Sequence, residues 1–238
     1  MVTILRVRDK FDLYLGSNLG RWTLLNSAPE MVASVKTLDP EIERLALSLG
    51  FRCTEEISSD YGISVHWPKL FSVDFIDKYI LLMNIHPGII PQSRGMYPVF
   101  WDTYLNQPAG ASCHKITNEV DVGPLHKIRQ VVTDENQTAG EIWQLVNRAE
   151  QLLVIETLSG EPRLITETLE KPLPPIGPIR TLSQFQKMKY APDLDKMSKY
   201  EIYRLMLAVS HQDFDRPGWI DQYLLNGQTP RQWFECIS

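Results

Sequence analysis

Apolar positions along the chain come in short runs separated by amphipathic stretches. Residues 2–7 are rich in β-branched and aliphatic side chains and predict a strand. Residues 40–50 open on Pro40, carry apolar side chains at helical spacing and close on Gly50, the start and stop signals of a helix. Residues 61–66 predict a strand ended by Trp67 and Pro68, and residues 72–79 a short helix with Ser72 as its cap. Residues 80–85 form an apolar run bounded by Pro87, the pattern of a strand covered on both faces. Strand, helix, strand, helix, strand in this order predicts a parallel α/β sheet with flanking helices.

Further along, residues 98–107 read as helical, and residues 111–116 and 125–132 as two strands around a loop at 117–124. Residues 138–157 place Ile142, Leu145, Val146, Ala149, Leu152 and Leu153 on one helical stripe, which predicts a helix packed on the core. Proline and glycine then concentrate at 171–178 and predict a stiff, extended connector. The expected organisation is a main domain over 1–170, the connector over 171–180 and a smaller section over 181–238. A helix at 198–209 and an Asn226-Gly227 turn suited to a hairpin make that last section α+β.

Charge narrows the function classes. The 238 residues carry a net charge of -5, which argues against a nucleic-acid protein that binds through a broad basic surface. No stretch approaches the ~18 uncharged apolar residues of a membrane span. Charges interrupt the apolar run at the N-terminus, so no secretory signal is expected there. Cys53, Cys113 and Cys236 stand far apart and in no metal-ligand spacing, which predicts reduced thiols in a cytoplasmic protein without a metal. Cys113 and His114 are adjacent on a predicted strand, so they face opposite ways and form no dyad.

Candidate chemistry concentrates at 84–98. Asn84 and His86 are two apart at a strand end and share a face, where open α/β sheets place their ligands. An amide can donate to a developing oxyanion and an imidazole can move a proton near neutral pH. Asp121, arriving from another loop, would orient the imidazole, and the three together suit attack of a neutral nucleophile on a carbonyl-like carbon. Asn84-x-His86-Pro87, Ile89-Ile90-Pro91-x-x-Arg94-Gly95 and Pro98, with Ala111-Ser112-Cys113-His114 and Val120-Asp121-Val122-Gly123-Pro124, resemble the two motifs of the formyltransferases that use 10-formyltetrahydrofolate. Gly88 stands where serine is commoner, and Ala111-Ser112-Cys113 where Gly-Val-Thr is more usual.

The resemblance implies a Rossmann-like catalytic domain, catalytic roles for Asn84, His86 and Asp121, and 10-formyltetrahydrofolate as co-substrate. It implies a folate groove lined by Ser64, His66, Trp67, Leu70, Phe71 and Val120. Among the branches, residues 67–71, 94–101 and 207–214 are most similar to bacterial dTDP-amino-sugar N-formyltransferases of O-antigen and related glycan synthesis. That branch implies a dTDP-linked amino sugar as partner, with dTDP-4-amino-4,6-dideoxyglucose the favoured acceptor, and a homodimer. Lys69 and Arg94 would meet the diphosphate, Tyr97 the substrate, and Trp219 and Tyr223 the base, the last two also suiting a small core or a dimer contact. Two alternatives stay open, a glycinamide ribonucleotide formyltransferase and a non-catalytic binding module of the same fold. Gly16-Ser17-Asn18-Leu19 resembles the phosphate-binding loop of the glycinamide ribonucleotide branch. It stands well past the strand expected at 2–7 and lacks the preceding glycine, so the likeness reads as incidental.

Overall fold

The computed structural model describes residues 10–172, 174, 176–211, 213–224 and 227–237. The strand expected at 2–7 lies outside them. Among the described residues six strands form one sheet in the order β2-β1-β3-β4-β5-β6. Along the chain, β1 (Phe11–Leu15) leads into α1 (Ser17–Leu25), β2 (Val32–Thr37) into α2 (Pro40–Ser48), β3 (Tyr61–Val65) into α3 (Val73–Ile76), and β4 (Leu81–His86) into α4 (Pro98–Leu105). Strands β1 to β4 run parallel. β5 (Gly110–Lys115) and β6 (Leu125–Gln130) return antiparallel, which makes the sheet mixed but mostly parallel. α5 (Ala139–Ser159) and α6 (Pro162–Glu167) follow.

β1, α1 and β2 were not anticipated from the pattern, and burial explains why. Their interior positions include charged residues: Asp12 on β1 is fully buried and Lys36 on β2 is 3% exposed. The two meet at 3.2 Å across adjacent strands. Ser34 donates to Asp12 at 2.5 Å, the Tyr79 hydroxyl donates to it at 3.0 Å, and the backbone N–H of Ser58 at 2.9 Å. A paired, hydrogen-bonded charge can be buried where an isolated one cannot.

The helix at α5 begins at a capping box in which Thr138 and Glu141 satisfy each other's backbone donors. Its buried seam is narrower than expected: Ile142, Val146, Ala149 and Leu153 enter the core, while Leu145 and Leu152 flank it and stay partly exposed. In place of those leucines the buried face carries Glu150.

The C-terminal section departs from the expected α+β character. Its described residues are helical: α7 (Leu182–Tyr190), α8 (Lys199–Val209) and α9 (Pro230–Ile237), with no strand among them. Capping boxes at Thr181/Gln184 and Ser198/Glu201 start α7 and α8. The expected hairpin turn includes Asn226, outside the described residues, and helical elements flank it at 218–222 and 230–237. This section builds a second core with α4, in which Phe100 and Trp101 pack with Phe185, Leu205, Met206 and Ile220. No helix among the described residues is long and apolar enough to cross a membrane.

Asp102 on α4 is 2% exposed, accepts a 2.5 Å hydrogen bond from Ser93 through Oδ1 and leaves Oδ2 without a partner. Burial pushes its carboxyl up to about 7, against the opposing pull of the Ser93 hydroxyl. A carboxyl raised in the folded state binds its proton more tightly there than in the unfolded chain. It therefore subtracts stability as pH climbs from its unfolded value toward 7.

Two outcomes are expected. Asp12→Ala leaves Lys36 buried without its counter-charge and costs about 3–5 kcal/mol. Adding Lys36→Met recovers part of that loss in urea denaturation, and equal stability of the single and double variants would refute the assignment. For Asp102→Asn, the advantage over the parent chain grows by about 3 kcal/mol between pH 5 and pH 8. A pH-independent difference in urea midpoints would contradict the raised carboxyl.

Candidate active site

β4 is the last of the parallel strands, with parallel β3 on one side and antiparallel β5 on the other. The register aligns Ser64 with Asn84 and Asn84 with His114, and one step further His86 with Ser112. Directly opposed residues share a face, so Ser64, Asn84 and His114 form one row at the end of the sheet. A cleft of about 150 Å³ opens over this row. Of the expected folate-groove residues, Ser64, Trp67, Leu70, Phe71 and Val120 line it, together with Lys69, Asn84, His114 and Asp121. His66 does not. It hydrogen-bonds Ser17 and Glu150 instead.

His86 is 6% exposed and its orientation is set by one bond. Nε2–H donates to the Ser93 carbonyl at 2.7 Å, which leaves Nδ1 to exchange a proton. Gly88 makes room for this bond, since a Cβ there would lie 2.6 Å from the Ser93 oxygen and 2.9 Å from Nε2. The serine commoner at this position would therefore collide with the His86–Ser93 pair. Ser112 donates to the Gly88 carbonyl at 2.7 Å and accepts from the Ile90 N–H at 3.1 Å, so this departure from the usual motif pins the loop onto β5.

Asp121 sits in the left-handed region at φ 52, which turns its carboxylate inward. Oδ2 accepts from the Gly95 N–H at 2.9 Å and lies 3.8 Å from His86 Nδ1, while Oδ1 lies 3.5 Å from His114 Nε2. Burial opposes the charge on Asp121. The two imidazoles and the Gly95 N–H outweigh it and hold the carboxyl well below the usual carboxylate range. His114 is a third polar member here: 2% exposed, with Nδ1–H donating to the Lys115 carbonyl at 3.0 Å. No local pattern marked it, because its pairing with Asn84 follows from the antiparallel register of β4 and β5.

Arg94 does not face a diphosphate. Its guanidinium is buried and donates through Nε and Nη2 to the Val120 carbonyl at 3.0 and 2.8 Å. Arg94 and Gly95 thus hold the Val120–Asp121 turn together, one by its side chain and the other by its backbone. Trp219 and Tyr223 are not in the cleft either. Trp219 is 7% exposed in the second core and donates from Nε1 to the Lys189 carbonyl at 2.7 Å, and Tyr223 packs beside it. These two rings fill the space between α7, α8 and α9. Tyr97, also at positive φ, stacks on Phe185 at 3.9 Å and ties the loop before α4 to α7.

Lys69 remains exposed at the cleft. Cys113 is fully buried with its thiol pushed up to about 12 by burial, and it plays no part in the site. Gly16-Ser17-Asn18 directly follows β1, so the distance from a strand end that made its likeness to a phosphate loop read as incidental does not exist.

The arrangement offers an amide free of intramolecular hydrogen bonds, an imidazole with one exchangeable nitrogen, and a carboxylate that stays ionised. Known proteins are similar to this chain. A dTDP-4-amino-4,6-dideoxyglucose formyltransferase of Mycobacterium tuberculosis is 24% identical over 163 residues, 68% of this chain and 68% of that protein. The crystal structure of a 4-N formyltransferase from Francisella tularensis shares the fold with a TM-score of 0.70 at 18% identity, over 89% of this chain and 92% of the other. So does an N-formyltransferase from Helicobacter canadensis in complex with folinic acid and dTDP-3-aminofucose, with a TM-score of 0.69 at 16% identity, over 88% and 83%. The Formyl transferase family model matches residues 23–158, more than half of the sequence, and the chain belongs to that family.

Proposed function

We propose that this chain moves a formyl group from 10-formyltetrahydrofolate to the amine of a dTDP-linked amino-dideoxy sugar, with dTDP-4-amino-4,6-dideoxyglucose the favoured acceptor. The observation that carries formyl transfer is a cleft at the sheet edge lined by Asn84 and Asp121, with His86 Nδ1 3.8 Å from the Asp121 carboxylate. The likeness to the Mycobacterium tuberculosis protein supports the sugar nucleotide. The same folate groove residues would hold the pterin through Trp67, Leu70 and Phe71, whose rings and side chains form the apolar wall of the cleft.

In this reading the acceptor nitrogen attacks the formyl carbon and the bond to the folate nitrogen breaks. The Asn84 amide and His86 Nδ1–H donate to the oxygen that gains negative charge, a role in which one donor contributes on the order of 3 kcal/mol. Asp121 keeps Nδ1 of His86 turned toward the reacting atoms and stabilises the imidazolium through their 3.8 Å approach. The proton leaving the acceptor nitrogen passes through this pair to the departing folate nitrogen. Lys69, exposed at the cleft, is the cation available to a diphosphate. Arg94 acts on Asp121 through the Val120 turn and is a positioning residue.

Asn84→Ala and His86→Ala are each expected to lower kcat roughly a hundredfold or more. Near-normal turnover in His86→Ala would sink the assignment. The acceptor is tested by tetrahydrofolate release from a panel of dTDP-linked 3-amino and 4-amino sugars, with glycinamide ribonucleotide as control. Turnover with the control alone would refute the sugar-nucleotide reading, and no turnover with any acceptor would favour the binding module. Arg94→Lys keeps the charge but loses the two parallel N–H bonds, so kcat should fall by about tenfold or more while KM for the sugar nucleotide changes little. A rise in KM for the sugar nucleotide with kcat intact would instead place Arg94 on the substrate.

A further inference from the structure

A serine stands between a strand and a helix at the other end of this sheet edge. Ser17 is the first residue of the nine-residue α1, directly after β1 and Gly16, and its φ is 58. A non-glycine residue in the left-handed region is uncommon, and a strand–serine–helix turn with this strain is the geometry that presents a nucleophilic serine. Two close approaches make the turn possible. A Cβ on Gly16 would lie 2.1 Å from the His66 carbonyl oxygen, and one on Gly20 would lie 3.1 Å from the Leu15 Cβ.

The serine is connected to a base and the base to an acid. Ser17 Oγ is 2.8 Å from His66 Nδ1, and His66 Nε2 is 2.8 Å from Glu150 Oε1. Ser17 is exposed and the Glu150 side chain is fully buried. A carboxylate only accepts, so Nε2 carries the hydrogen and Nδ1 offers its lone pair to the Ser17 hydroxyl. Burial disfavours the imidazolium, but the charge of Glu150 and its hydrogen bond outweigh that and hold His66 above its ordinary value. Glu150 Oε2 has no partner, so the carboxylate is committed to His66 alone. At the start of α1 the Leu19 N–H donates to Ser17 Oγ at 3.3 Å and the Gly20 N–H to the Gly16 carbonyl at 3.0 Å, which leaves the N–H groups of Ser17 and Asn18 as the donors for an oxyanion. β3 separates β1 from β4, so Ser17 stands two strand spacings, about 10 Å, from the row of His86.

We propose that Ser17, His66 and Glu150 form a second site, a serine nucleophile that hydrolyses small activated acyl esters. Ser17 Oγ attacks the acyl carbon as its proton moves to His66 Nδ1. The bond from that carbon to the leaving oxygen then breaks, and His66 returns the proton to the departing alcohol. Water attacks the acyl-serine with His66 taking its proton, and the carboxylic acid leaves as Ser17 is regenerated. Glu150 holds the imidazole in the required tautomer throughout.

The test uses the full chain with a fluorophosphonate probe and with p-nitrophenyl acetate. The expected result is probe on the peptide that contains Ser17 and a burst of about one p-nitrophenolate per chain. Both are lost in Ser17→Ala, and the labelling rate at pH 7 falls at least tenfold in Glu150→Gln with the circular dichroism spectrum retained. Because Glu150 is buried and its replacement can unfold the chain, Ser17→Cys at the exposed position supplies an independent reading. Its thiol should react with iodoacetamide at a pH well below that of an ordinary thiol, by peptide mass. A folded parent chain that takes no probe at Ser17, or an introduced thiol with an ordinary pH profile, overturns the proposal and leaves the three residues as a structural tie between α1, β3 and α5.

Discussion

The Asp121 carboxylate depends on a two-point grip by Arg94 and Gly95. The Arg94 guanidinium holds the Val120 carbonyl, and the Gly95 N–H holds Asp121 itself. Neither Arg94 nor Gly95 lines the cleft, yet together they bring a loop between two antiparallel strands to the end of a parallel strand. Without them the carboxylate would face solvent, where nothing would sustain the low carboxyl pKa that keeps it ionised beside two imidazoles. The grip extends outward as well. Gly95 forms a bridge with Arg180, and the Met96 N–H donates to the Arg180 carbonyl at 2.8 Å, so the connector to the C-terminal section closes on the same segment.

The change from parallel to antiparallel pairing at β4 makes this meeting possible. A parallel strand ends at the ligand edge, whereas its antiparallel neighbour brings residues to that edge from the opposite direction. β4 delivers Asn84 and His86 from one side, and β5 delivers His114 from the other. The loop leaving β5 then needs only a short path to supply Asp121. The left-handed conformations of Tyr97 and Asp121 are concentrated around this point, where loops turn sharply to aim side chains.

Buried polar groups elsewhere follow one rule with different degrees of completion. Asp12 meets a cation, two hydroxyls and two backbone donors. Asp102 meets a single hydroxyl and keeps a raised carboxyl. Glu150 meets a single imidazole, and that imidazole a serine hydroxyl. The first arrangement holds strands together. The last leaves a polarised chain of donors ending at an exposed oxygen, which is the difference between a structural network and one suited to chemistry.

The sequence by itself determined what short-range geometry can decide. Alternation along a strand put Asn84 and His86 on one face, proline and glycine ended that strand where a ligand can reach it, and helical spacing with caps defined α2, α5 and α8. Only the tertiary structure decided which distant residues meet. β1 and β2 were illegible because Asp12 and Lys36 look like surface residues until each is seen to neutralise the other across neighbouring strands. Arg94 read as a phosphate ligand because an arginine near a site carries no mark of the carbonyl it will find, and Trp219 read as a base platform because an aromatic ring suits a core as well as a ligand. Periodicity is a property of a few consecutive residues, whereas the partner of a buried charge is set by sheet order and loop closure, which no local pattern encodes.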